Sequence, residues 1–164
     1  MKLLDCIHQQ LGKLKNPTLK ELGTALKRFP DLSDLIQPFI TDPDQFPYGR
    51  NVIYLNEHVE VLVINLPPYV ETAIHDHGQS LGCALVVEGK LLNSIYRFNE
   101  NQIERAKAYM VQKGDFLISP QGLIHKMSNP HTERMISLHV YSPPLFNMSN
   151  YKDQQTNEIL TDLV

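Results

Sequence analysis

His75 and His77, separated by Asp76 and followed much later by His125, are the residues best suited to hold a metal in this chain. Side chains on a β-strand alternate with a period of two, so an H-x-H pair on a strand presents both imidazoles on one face. Two imidazoles there and a third from a distant strand make half an octahedron around an ion. The remaining positions are open to substrate and oxygen. The pair alone is a weak signal, and three unrelated structural histidines are the plainer reading of it. Three neutral imidazoles leave a dipositive charge uncompensated by the protein. Such a site favours an anionic ligand, and a thiolate suits it because metal coordination deprotonates a thiol. Zinc also accepts three histidines plus water, so the ligands alone do not choose the metal.

The surroundings of His125 sharpen the reading. Gly114, Pro120, Gly122, His125 and Asn129 fall on the spacing G-x5-P-x-G-x2-H-x3-N, with every fixed position filled. This resembles the second metal motif of the cupin family. The first cupin motif, G-x5-H-x-H-x4-E-x6-G, is matched at His75, His77 and Gly89. Tyr69 stands at its opening glycine and Gly82 at its glutamate. The chain is similar to a cupin from which one ligand, the carboxylate, has been removed. Mononuclear non-haem iron oxygenases commonly hold their metal with two histidines and one carboxylate, so the removal bears on chemistry.

The elements that must position these residues come in two blocks. Leu3, Leu4, Ile7 and Leu11 recur at helical spacing, ending near Gly12. Asn16-Pro17 reads as a cap followed by proline at the first helical position, with Leu19, Leu22, Leu26 and Phe29 as the next stripe and Pro30 as its stop. A short turn or helix spans Leu32 to Ile36. From Asn51 the pattern changes to strands. These are Val52–Leu55, Val59–Leu66, Ala73–His77, Cys83–Val87, Leu91–Arg97, Ala106–Val111, Phe116–Ser119, His125–Ser128 and Met135–Tyr141, with turn residues between them. Many short strands predict a mainly β fold, a jelly-roll barrel of the double-stranded β-helix kind, carrying two or three N-terminal helices. One domain over residues 1–164 is expected: helices over 1–40, barrel strands over 50–144 and a tail over 145–164. Ile159, Leu160 and Leu163 suggest a last amphipathic turn.

The strand Met135–Tyr141 divides cleanly, with Ile136, Leu138 and Val140 on one face and Ser137, His139 and Tyr141 on the other. In an ordinary half-buried strand the polar face meets water. In a barrel that holds a metal the preference inverts, and the polar row becomes a hydrogen-bond relay fixing the tyrosine hydroxyl over the site.

His75-Asp76-His77, the run from Gly114 to His125, and Ser137 through Pro144 together resemble cysteine dioxygenase of the type I family, most closely its bacterial members. Tyr48-Gly49-Arg50-Asn51 is similar to that family's tyrosine–x–arginine substrate motif. The resemblance runs from the N-terminal helices to about Pro144. It implies Fe(II) held by His75, His77 and His125, and oxidation of L-cysteine by O2 to cysteine sulfinic acid. Arg50 would bind the substrate carboxylate, as a planar guanidinium does well. Tyr48 and Tyr141 would orient that carboxylate or the oxygen, and His139 and Ser137 would hold Tyr141. On its residue type alone, Arg50 reads as a solvated loop side chain. Zinc has no redox chemistry and would leave a bound thiol unoxidised, which points to iron. Animal members link a cysteine covalently to the tyrosine aligned with Tyr141. The matching position here is Gly82, and alternation turns the adjacent Cys83 to the opposite face, so no thioether crosslink is expected.

Composition narrows the partners. At 164 residues with 42% hydrophobic content, the chain is long enough for a proper core. A net charge of -3 offers no basic field for nucleic acid or acidic lipid. Cys6 and Cys83 have neither metal nor disulfide spacing and read as reduced thiols. The first residues break at Asp5, and no apolar run approaches the ~20 residues of a membrane helix, so a cytoplasmic, monomeric protein with small-molecule partners is expected. Three rivals differ in what they consume. A dioxygenase for 3-mercaptopropionate would carry glutamine in place of Arg50. A cupin isomerase would use no oxygen, and a binding module would show no turnover.

Overall fold

The computed structural model describes residues 2–152; the expected turn at Ile159 to Leu163 falls outside them. Helix α1 (Leu3–Gln10) and helix α2 (Leu19–Leu26) precede a single 3-10 turn at Gln37–Phe39. The helical stripe works as the spacing predicts, with Leu3, Ile7, Leu11, Leu22 and Leu26 all fully buried. Each such side chain removed from water contributes about 1.5–3 kcal/mol. The start of α2 differs from expectation. Its cap is Thr18, whose hydroxyl accepts from Glu21 N–H at 3.3 Å, while Glu21 returns a carboxylate oxygen to Thr18 N–H at 2.7 Å. This reciprocal T-x-x-E box outcompetes the Asn16-Pro17 start because it satisfies two orphan donors.

Ten strands follow: β1 (Gly49–Leu55), β2 (Glu60–Leu66), β3 (Ile74–His75), β4 (Leu81–Glu88), β5 (Lys90–Asn99), β6 (Gln102–Gln112), β7 (Phe116–Ser119), β8 (Ile124–Ser128), β9 (Met135–Ser142) and β10 (Asn150–Tyr151). They form two five-stranded sheets, ordered β1-β2-β9-β4-β7 and β10-β3-β8-β5-β6. Leu62, Ile64 and Leu66 of the first sheet pack with Leu91, Val111 and Met127 of the second, which makes the barrel interior. The other face of the first sheet, Val61, Val63, Leu138 and Val140, packs against the helices.

Strands β2 and β9 are therefore buried on both faces. That is why the polar row of β9 points inward: its apolar row is already covered by helices. Among the described residues no helix is long and apolar enough to cross a membrane.

Two strand expectations change. The strand expected over 73–77 is only Ile74–His75, so His77 lies beyond it and alternation does not set its direction. The Asp76 carboxylate accepts from Gly78 N–H at 2.9 Å and turns the chain there. The tail supplies β10, which pairs with β3 so that Asn150 lies opposite His75.

Candidate active site

His75 and His125 are register partners across β3 and β8, and His77 joins them from the turn after β3. One nitrogen from each ring falls in a group whose atoms all lie within 4.8 Å of one another. Among the described residues, no Asp, Glu or Cys belongs to that group. Hydrogen bonds fix two of the tautomers. His75 Nδ1–H donates to the Ala73 carbonyl at 2.8 Å, and His125 Nδ1–H donates to Asn93 Oδ1 at 2.8 Å. In each neutral ring the lone pair is then on Nε2.

Burial keeps all three rings neutral. It lowers the pKa of His75, takes His77 down to about 3 with help from His75, and holds His125 well below the usual histidine range. His77 Nε2 and His125 Nε2 stand 3.3 Å apart, and His77 Nδ1 is buried without a partner. The His125 lone pair points at His77 Nε2, and a cation taken up between them would be met by both nitrogens once the His77 proton sits on Nδ1. Nitrogens bound about 2.1 Å from one shared ion would sit roughly this far apart. The donor set fits a dipositive metal.

The polar row of β9 completes a chain of contacts. Ser137 Oγ lies 2.7 Å from His139 Nε2, and His139 Nδ1 lies 3.0 Å from the Tyr141 hydroxyl. Burial takes the His139 pKa to about 3, so this ring is a neutral one-donor, one-acceptor link. When Ser137 donates to Nε2, the Nδ1–H donates to Tyr141 and leaves the tyrosine proton free to point elsewhere. The Tyr141 ring packs 4.7 Å from that of His77, and burial raises its hydroxyl pKa far above the working range.

His75, His77, His139, Tyr141, Tyr48 and Arg50 all line one cavity of about 510 Å³. Leu62, Ile64, Met127, Leu145 and Met148 give it apolar walls. Arg50 is brought there by β1, and its Nη2 donates to Glu60 Oε1 at 3.2 Å. Gly49 is required between Tyr48 and Arg50 because the Thr41 carbonyl oxygen lies 1.8 Å from where a Cβ would stand. Burial raises the Tyr48 pKa, with Arg50 opposing it. A cleft of about 580 Å³ elsewhere, lined by Tyr69, Lys90 and His131 among others, gathers no comparable set of groups.

Sequence reading missed Asn93, which holds His125, and Glu60, which holds Arg50. Glu60 was detectable in principle as the only charge in the Val59–Leu66 run, which is otherwise apolar but for Asn65, since a carboxylate buried there needs a partner. The Asp76 carboxylate accepts from Ser149 N–H at 3.0 Å and from the Tyr151 hydroxyl at 2.6 Å, fastening β10 to β3. Cys83 packs among the helix-facing residues, and burial raises its thiol pKa to about 11. Both cysteines are free and buried.

The fold has relatives of known structure. A conserved protein with a double-stranded β-helix domain from Klebsiella pneumoniae superposes with a TM-score of 0.57 at 19% identity, over 72% of this chain and 95% of that one. A cupin domain from Schizosaccharomyces pombe gives 0.55 at 13% identity, over 76% and 77%. In sequence, cysteine dioxygenase type 1 of Danio rerio is 25% identical over 172 residues, covering 90% of this chain and 85% of that protein. The Homo sapiens protein of the same name is 25% identical over 119 residues, which is 69% of this chain and 59% of its own length. The family pattern described as cysteine dioxygenase type I matches residues 39–154, a span that takes in every strand and every group of the cavity just described. This chain, a cupin by fold, belongs to the cysteine dioxygenase type I family.

Proposed function

We propose that this protein oxidises L-cysteine with O2 to cysteine sulfinic acid, using Fe(II) held by His75, His77 and His125. The observation that carries the reading is a pairing within one cavity. His75 and His77, two of a group of three neutral imidazoles that His125 completes without a carboxylate, line the same cavity as Arg50 and Tyr141. An all-imidazole set leaves the ion's charge to be balanced by an anionic ligand, and a substrate thiolate answers that need. The guanidinium answers the carboxylate at the other end of the same small molecule.

Bound ferrous iron supplies the redox partner that lets triplet dioxygen react with a closed-shell thiolate. The side chains do the rest. Arg50 binds and orients the carboxylate, with Tyr48 beside it. The relay from Ser137 through His139 leaves a Tyr141 proton free to donate to developing oxyanion charge. The apolar walls hold water back from the sulfur. Sulfur is oxidised by four electrons and O2 reduced by the same four, so no external reductant or organic cofactor enters.

The test is anaerobic loading with Fe(II), then addition of cysteine and O2, with oxygen uptake followed and the product weighed. A product heavier by two oxygen atoms is the expected result. Uptake with 3-mercaptopropionate and none with cysteine would move the substrate; no uptake with either thiol would end the reading.

A further inference from the structure

Glu60 is a buried carboxylate, 7% exposed, in a strand whose other residues are apolar apart from Asn65. Its two oxygens are used separately. Oε1 accepts from Arg50 Nη2 at 3.2 Å, and Oε2 accepts from Leu145 N–H at 2.8 Å. In the β2–β9 register Glu60 stands opposite Tyr141, which lines the metal-side cavity. Leu145 lines the same cavity.

Arg50 has a second place to go. Its side chain remains 26% exposed, and besides the metal-side cavity it lines an outer cleft of about 330 Å³ that also contains Asp42 and Asp44. Two carboxylates in that cleft offer the guanidinium alternative partners. We propose that Glu60 is a positioning residue that decides between them, holding Arg50 toward the metal-side cavity and tying it to the wall segment at Leu145. The inference rests on the reading of Arg50 as the carboxylate anchor. Glu60 touches no substrate; it acts through Arg50.

Glu60→Gln separates the two oxygens, because it puts an NH2 donor where one of them stood, so only one of the Arg50 and Leu145 contacts keeps its acceptor. The probes are L-cysteine and 2-aminoethanethiol, which is the same thiol and amine without the carboxylate. Each is titrated calorimetrically into the Fe(II)-loaded protein under anaerobic conditions. The variant is expected to bind cysteine about tenfold more weakly, the loss of one charge-assisted contact, and to bind 2-aminoethanethiol as the parent does. Adding Asp42→Asn and Asp44→Asn to the variant removes the competing carboxylates and is expected to restore much of the cysteine affinity. Should Glu60→Gln fail to fold, Glu60→Asp keeps the charge, falls short by one methylene and gives the same comparison.

Equal weakening of both thiols would make Glu60 merely structural, and unchanged cysteine affinity would remove it from the site; either result overturns the proposal. Failure of the function is read separately, by absence of oxygen uptake with cysteine in the unaltered protein.

Discussion

Gly82 lies opposite Tyr141 across β4 and β9, and a Cβ added at position 82 would stand 2.6 Å from two carbons of the tyrosine ring. The ring occupies the room a side chain would take. Gly82 thus explains two things together: no carboxylate reaches the histidines from this position, and Tyr141 lies flat enough to approach His77. Gly82→Ala is expected to push the ring aside, lowering turnover while iron content stays that of the parent. The overpacking should cost about 1–3 kcal/mol in stability by urea unfolding. Tyr141→Phe, which keeps the ring in place and loses the hydroxyl, should also lower turnover with iron retained, its own stability cost of about 1–3 kcal/mol coming from the His139 Nδ1 left without a partner. With Cys83 on the helix side of β4, intact mass should equal the sequence mass, without the loss of hydrogen that a thioether brings.

Asn93→Ala removes the acceptor that fixes the His125 tautomer. Losing the partner of a ligating histidine typically weakens metal affinity about 10–100-fold. Competition with a chelator of known affinity measures it. An unchanged iron affinity would show that the Asn93 contact does not orient the ring.

Arg50→Ala should act on substrate binding, with iron retained. A lost hydrogen bond to a charged group costs about 1.5–3 kcal/mol, so KM for cysteine should rise at least tenfold while kcat changes far less. Cysteine kinetics indifferent to this substitution would remove Arg50 as the carboxylate anchor.

How much of this was legible beforehand divides along a physical line. The alternation of β9 reported its inward polar row, because that is a local pattern set by the pleat, while the spacing from Gly114 to Asn129 reported the barrel through its resemblance to the cupin motif. His75 lies on a strand, as the alternation reading expected, whereas His77 converges through a turn that the Asp76 carboxylate makes, a device period-two reasoning cannot see. The partners Asn93, 32 residues from His125, and Glu60, ten from Arg50, are brought together only by sheet register. The pairing of β10 with β3 escaped for the same reason. Tyr151 matters through Asp76, 75 residues away.

Acid should loosen the metal-free protein well above the carboxylate range. His77 and His139 have folded pKa values of about 3, set chiefly by burial, against 6.5 when unfolded. Between those values the unfolded chain binds protons that the folded chain refuses, so stability is full above about pH 6.5 and falls as pH falls toward 3. Each ring contributes up to about 1.4 kcal/mol per pH unit in that window. His75 and His125 shift in the same direction and add to the slope. Urea unfolding of the metal-free protein at pH 7, 6 and 5 measures it, and the midpoint should drop at each step. Iron binding demands the same neutral rings, so the loaded protein should resist acid further until the metal is released. A midpoint that stays level from pH 7 to 5 would mean that these imidazoles are not buried neutral, and the argument that they wait as lone-pair donors for a cation would go with it.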